Sequence, residues 1–274
     1  MVGIMEDWWL RLLAGMAGSG LIAAAAYKLR SLSASGAWSA VLMGTGFVTL
    51  GEPVWFALLL TFFVTSSLWS KWKKRHRAKA AAETNYEKTG RRDAGQVWAN
   101  GGAGLLLCAA HAIHPHIGWL YAFIGVMASV NADTWATEIG ALSRSAPRSV
   151  TTGRRVPSGT SGGVTPLGSL AALCGAAAIG AVAALLAPAG ASPLAALAAA
   201  AAAGLAGCFA DSLLGATGQA MYRCRVCGSE TERAAHCGQA AERTRGFAWL
   251  NNDRVNLLSS VFAGLLGWLI GLLL

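Results

Sequence analysis

Apolar residues run along this chain in long continuous blocks, broken by short polar clusters and without the alternation of period two that marks a strand. No Asp, Glu, Lys or Arg occurs in 12–27, 31–51, 53–70, 94–132, 156–210 or 255–274. A membrane-spanning helix needs roughly 20 mostly apolar residues, and the blocks predict about eight, over 7–28, 34–51, 53–70, 94–113, 117–137, 164–187, 193–217 and 254–274. The second and third are short, and if they form a re-entrant pair the count of full spans drops to seven. Continuous runs favour helices over a barrel, whose strands alternate between lipid-facing and lumen-facing residues. Met1 to Leu10 lacks a Lys/Arg-rich start and no small-residue cleavage site follows Met16, so the first helix is expected to be retained.

Composition agrees: 54% of the 274 residues are hydrophobic, 13% are charged, and the mean hydropathy is +0.47. Soluble domains carry about 25% charged residues. Glycine totals 34 and Ala198 to Ala203 is an unbroken alanine run, which lets helices approach closely in lipid. The expected fold is all-α, a polytopic transmembrane helix bundle forming a single integral membrane domain over 1–274, with a small Cys-rich cytoplasmic loop.

The net charge of +9 is placed for a membrane and not for nucleic acid. Segment 71–93 carries Lys71, Lys73, Lys74, Arg75, Arg77, Lys79, Lys88, Arg91 and Arg92 against Glu83, Glu87 and Asp93, the pattern of a cytoplasmic loop. Loops 138–163 and 218–253 are also basic and fall on the same side, whereas the turns at Glu52–Pro53, His111–His116 and Pro188–Pro193 carry no Lys or Arg. Both termini then face outward, in a multi-pass protein of the cell membrane. Trp8, Trp9, Trp69, Trp72, Trp119 and Trp249 lie near span ends, where indoles favour the headgroup layer.

Four acids remain at membrane boundaries: Asp133, Glu138, Asp211 and Asp253. Carboxylates at such depths are costly and usually functional. Asp133 and Asp211 fall at cytoplasmic ends of the fifth and seventh helices, and Asp253, flanked by Asn252 and Asn256, at the start of the eighth. Asp133 and Glu138 stand about 140° apart on a helix, so they share a face only if the helix breaks, and Asp133 is the better metal ligand. Loop 151–165 contains Arg154, Arg155, Ser158, Gly159, Thr160, Ser161, Gly162 and Gly163. Glycines let backbone amides turn toward an anion, hydroxyls donate, and arginine forks fit phosphate oxygens. It is not a Walker A loop, since no Gly-Lys-Ser/Thr is present. Carboxylates that hold Mg²⁺ beside a basic, Gly-rich loop are the apparatus of phosphoryl transfer.

Cys108, Cys174 and Cys208 fall inside apolar blocks as packing residues. Cys224 and Cys227, followed by His236 and Cys237, offer four zinc ligands in one loop, although adjacent residues are an uncommon second pair. His111, His114 and His116 read as interfacial residues of the opposite side.

The stretches Asp133-Thr-Trp-Ala-Thr-Glu-Ile-Gly140, Arg154-Arg-Val-Pro-Ser-Gly-Thr-Ser-Gly-Gly-Val164, Asp211-Ser-Leu-Leu-Gly215 and Trp249-Leu-Asn-Asn-Asp-Arg-Val-Asn-Leu-Leu-Ser259 resemble the membrane family of the plant phytyl-phosphate kinase and human transmembrane protein 19. The resemblance implies a kinase that converts a prenyl- or phytyl-type monophosphate to the diphosphate, with CTP as donor. It casts Asp133, Asp211 and Asp253 as the residues that bind Mg²⁺ and the nucleotide phosphates. A cytidylyltransferase making a CDP-lipid needs much the same parts. A transporter is the rival of another class, but transporters place charges near the bilayer midplane, whereas these acids sit at one edge.

Overall fold

The computed structural model describes residues 7–72, 87–88 and 90–274, so most of the basic 71–93 segment lies outside the described residues. Among these residues the chain forms eight helices: α1 (Trp8–Lys28), α2 (Ala34–Leu50), α3 (Pro53–Trp72), α4 (Ala94–Ile113), α5 (Ile117–Gly140), α6 (Pro166–Leu185), α7 (Pro193–Thr217) and α8 (Asn252–Leu273). Six of the eight begin where a side chain takes up an unpaired amide of the first turn. Ser33, Asp93, His116, Thr165, Ser192 and Asn251 each accept such a bond, and proline follows at Pro166 and Pro193.

Helices α1, α3, α6, α7 and α8 are long and apolar enough to cross a membrane. The third block forms a helix of 20 residues, long and apolar enough for a full span. Only α2 is short, at 17 residues, about 25 Å at the helical rise. Exposed leucines such as Leu21, Leu106, Leu185, Leu194 and Leu265 coat the outside, as an apolar solvent requires.

At the centre stands α5. Every residue from Leu120 to Ala132 is buried, and α5 packs against α3, α4, α6, α7 and α8. Glycines make this crowding possible. A Cβ on Gly125 would lie 2.3 Å from the Ala263 carbonyl oxygen of α8, and one on Gly207 of α7 would lie 2.3 Å from Ser129 Oγ of α5. Backbones meet here with nothing between them.

Short links 51–52, 114–116 and 186–192 close one end of the bundle. There His116 stacks on Trp268 and the Trp119 indole donates to the His114 carbonyl, so these histidines are packing residues. Trp8, Trp9, Trp72 and Trp249 are exposed near helix ends, whereas Trp69 packs on Trp135 and Trp119 on Trp268.

The opposite end carries the long connections and three small antiparallel sheets. β1 (Arg148–Ser149) pairs with β2 (Gly163–Val164), tying the base of the Gly-rich loop. β3 (Met221–Arg223) lies between β4 (Glu230–Thr231) and β7 (Glu242–Arg245), while β5 (Ala235–His236) and β6 (Gln239–Ala240) form a separate hairpin.

Candidate functional site

A cavity of about 310 Å³ opens at the end carrying the long connections, where α3, α5 and α7 finish and α4, α6 and α8 begin. Asp133 and Asp211 line it from neighbouring helices. Their placement follows from the sequence one turn earlier. Ser129 and Gly207 stand four residues before Asp133 and Asp211, and it is there that α5 and α7 touch. Neither carboxylate is in an ion pair among the described residues. Asp211 Oδ2 accepts a hydrogen bond from Ser259 Oγ of α8 at 3.0 Å.

Glu138 lines the same cavity although α5 runs unbroken from Ile117 to Gly140. The two acids keep different faces of that helix, as their offset of about 140° requires, and the cavity lining takes residues from more than one face of its last turns. Glu138 accepts from Ser70 Oγ of α3 at 2.5 Å and lies in the field of Arg92.

Asp253 is placed differently. Its carboxylate is off the cavity wall and paired with Lys88 Nζ at 2.5 Å, and Lys88 also reaches Asp93 at 3.0 Å. Burial works against the charge on Lys88, but the bonds to Asp253 and Asp93 outweigh it and raise its pKa. Asn252 and Asn256, from the first turn of α8, do line the cavity.

Ser158, Gly159, Thr160, Ser161, Gly162 and Gly163 form one wall. Gly162 adopts φ 80° and presses on α7, where a Cβ would meet Ala216 at 2.4 Å, so the loop is seated beside the helix that carries Asp211. The amides of Thr160 and Gly163 close turns within the loop, onto the Pro157 and Thr160 carbonyls. Arg154 and Arg155 are exposed and outside the wall. Among the described residues the cations that face the cavity are Lys88 and Arg92. Burial draws the Arg92 guanidinium down to about 10, against the pull of Glu138.

Sequence reasoning missed Lys88 and Arg92 as site residues because they sit in a run of positive charge that topology alone explains. It also missed Glu232, which lines the cavity from the Cys-rich loop and accepts a hydrogen bond from the Glu87 amide at 3.0 Å. Burial pushes the Glu232 carboxyl up to about 7. Its only signal was an acid between the two halves of the cysteine motif.

Cys224, Cys227, His236 and Cys237 come together in that loop, their ligand atoms all within 4.8 Å of one another. Among the described residues no other group of three or more metal-type side chains is gathered so closely. The four acids of the cavity end are thus spread around it, and do not form one closed ligand set.

A second, apolar cleft of about 70 Å³ lies among α1 to α4, lined by Met43, Phe56, Leu59, Leu60, Phe62 and Phe63. It reaches Arg92, Gln96 and Asn100, and these three residues also line the polar cavity.

Bundle and cavity together define a multi-pass helical membrane protein with a charged chamber at one end. The chain belongs to the family described as integral membrane protein DUF92, whose pattern matches residues 17–264. It is similar to Protein PGR of Arabidopsis thaliana, at 32% identity across 93% of this chain and 94% of the plant protein. It is also similar to an uncharacterized membrane protein of Methanocaldococcus jannaschii, at 30% identity across 89% of this chain and 87% of the archaeal one. No solved structure matches it.

Proposed function

We propose that this protein is a Mg²⁺-dependent phosphotransferase that moves the γ-phosphoryl group of a nucleotide, CTP by family resemblance, onto a prenyl- or phytyl-type monophosphate. The observation that carries the reading is the junction of two spaces. A polar cavity bearing Asp133, Asp211, Lys88 and Arg92 meets an apolar cleft at Arg92, Gln96 and Asn100. An amphiphile with an anionic head and a hydrocarbon tail matches that junction; a fully water-soluble acceptor leaves the cleft without a purpose.

The donor set fits a magnesium ion. Two carboxylates without cationic partners among the described residues face one chamber, and Mg²⁺ typically takes one or two carboxylates, several waters and substrate phosphates. When bound, it offsets charge on the phosphates and orients them. Asp133 and Asp211 would hold it. Lys88, fixed by Asp253 and Asp93, and Arg92 bind phosphate oxygens and stabilise charge on the transferring group. The hydroxyls of Ser158 and Thr160 orient the nucleotide phosphates, while Asn252 and Asn256 donate from the facing helix. Arg154 and Arg155, off the wall, contribute long-range attraction.

An oxygen of the lipid monophosphate attacks the γ-phosphorus. The bond from that phosphorus to the bridging oxygen breaks, and the nucleoside diphosphate leaves. The nucleophile is already anionic, so no side chain needs to remove a proton. The basic loops gather at the cavity end, which by the positive-inside rule turns the cavity to the cytoplasm and its nucleotides.

The test uses purified protein with Mg²⁺, CTP labelled in the γ-phosphate, and phytyl or geranylgeranyl monophosphate. Label in a lipid diphosphate that disappears in Asp211→Ala is the expected result. Label transferred only from α-labelled CTP means a CDP-lipid synthase instead, and no transfer from either by a folded protein overturns phosphotransfer to these lipids.

A further inference from the structure

We propose that Cys224, Cys227 and Cys237, as thiolates, and His236, through Nδ1, bind one structural Zn²⁺ that fixes the loop carrying Glu232 onto the cavity wall. All four ligand atoms lie within 4.8 Å of one another, and three of the six edges are close to those of the right solid. In a tetrahedral site with Zn–S of about 2.3 Å and Zn–N of about 2.05 Å, sulfur atoms lie about 3.8 Å apart and sulfur and nitrogen about 3.6 Å apart. Cys227 Sγ lies 3.8 Å from Cys237 Sγ and 3.6 Å from His236 Nδ1. Cys237 Sγ lies 3.2 Å from the same nitrogen, a little closer than the ideal edge.

The backbone agrees. Cys224 and Cys227 occupy the turn between β3 and β4, where the Val226 amide donates to Cys224 Sγ at 3.4 Å and the Gly228 amide to the Cys224 carbonyl at 3.0 Å. The first of these bonds stabilises a thiolate and the second closes the turn. His236 and Cys237 occupy the other hairpin, in which His236 pairs with Gln239 across a two-residue turn. Both turn residues have positive φ, 53° at Cys237 and 76° at Gly238. The first place in such a turn normally goes to Asn, Asp or Gly. A cysteine held there has its sulfur aimed at the other three ligands, which gives a reason for the unfavourable backbone.

No disulfide competes for the three sulfur atoms. All three cysteines are free thiols, and the 3.8 Å between Cys227 and Cys237 is far beyond a disulfide bond length of about 2.05 Å. Four protein ligands fill a tetrahedron, so the site is closed and structural and has no place for a substrate. Binding releases the three thiol protons to solvent. The product of three thiolates and one neutral imidazole carries one negative charge, in a loop that also holds Arg223, Arg225, Arg233 and Arg243.

The consequence for the cavity follows from chain order. Cys227 precedes Glu232 and His236 follows it, so the ion closes a short ring of backbone around that acid. Glu232 in turn accepts from the Glu87 amide, one residue before Lys88. Metal at the sheet therefore steadies two residues of the cavity wall.

The inference is independent of the proposed reaction and its test reads metal directly. Full-length protein is purified in detergent with reductant and a chelator wash, and metal is counted by mass spectrometry. One zinc per chain is expected, with near-complete loss in Cys227→Ser/Cys237→Ser and full retention in Cys174→Ser. Exchange with Co²⁺ should give the visible bands of a tetrahedral thiolate site. Should the double variant fail to fold, a mercurial titrated into the wild-type protein should release one zinc as three thiols react. Protein with no zinc that takes up neither Zn²⁺ nor Co²⁺, a Cys227–Cys237 disulfide in its place, or zinc retained in the double variant overturns the proposal.

Discussion

Lys88 Nζ lies 2.5 Å from Asp253 Oδ2 at the start of α8 and 3.0 Å from Asp93 at the start of α4. A cation from a connecting segment is thereby clamped between two helix N-termini and held against the cavity. The pair assigns different work to acids that look alike in the sequence. Asp253→Asn should raise the KM for the phosphate substrates about tenfold or more while leaving the Mg²⁺ requirement unchanged. Asp133→Asn and Asp211→Asn should shift the Mg²⁺ dependence to higher concentration. Rates measured across a magnesium titration separate the two, and a Mg²⁺ shift in Asp253→Asn would return that residue to the metal.

The contact of Gly207 with Ser129 sets the separation of α5 and α7 just below the two aspartates. Gly207→Leu places bulk where a Cβ alone meets Ser129 Oγ at 2.3 Å. Overpacking of this kind costs about 1–3 kcal/mol, so thermal unfolding in detergent should begin several degrees lower. Gly20→Leu, on α1 where a Cβ meets nothing within 4 Å, should leave the transition in place.

Glu232 titrates at about 7 in the folded protein, up from 4.5, because burial disfavours its charge. A carboxyl raised on folding binds more protons in the native state than in the unfolded one between these values. Stability from this group therefore falls as pH rises from about 4.5 through 7. Glu232→Gln removes the penalty, so its melting temperature relative to wild type should rise between pH 5.5 and 8. A difference that stays flat over that range would count against a buried ionisation.

Ala40 lies in the apolar cleft among α1 to α4. If the cleft holds the prenyl tail, Ala40→Phe should lower kcat/KM for geranylgeranyl monophosphate by about tenfold or more and spare the shorter geranyl monophosphate. Equal losses for both chains would place the tail elsewhere.

Much of this architecture was legible because charge is excluded from lipid. The gaps between charged residues mark eight helices whose observed bounds differ by three residues or fewer, and the cost of a carboxylate at a membrane boundary singled out Asp133 and Asp211, which line one cavity. Other features depend on shape. That Asp133 and Glu138 line one cavity from different faces of α5 depends on the elements packed around that helix end, which no helical wheel contains. Lys88 and Arg92 were concealed by the basic residues around them, and nothing in the sequence around Asp253 pointed to Lys88 as its partner. The cleft is assembled from four helices, each of which reads alone as an ordinary span.

The burial of α5 from Leu120 to Ala132 on every side has an implication for how the protein is made. This helix carries Asn131 and Asp133 and touches its neighbours where a membrane helix normally touches acyl chains. It is not among the helices whose length and hydropathy suffice for crossing. The bilayer by itself is a poor host for it, and its proper surroundings exist only after α6, α7 and α8 have been synthesised. In a nascent chain halted after α5, a single cysteine placed in that segment should therefore stay open to a water-soluble thiol reagent, and completion of α8 should close it off. In this protein the middle of the sequence is the last part to become membrane.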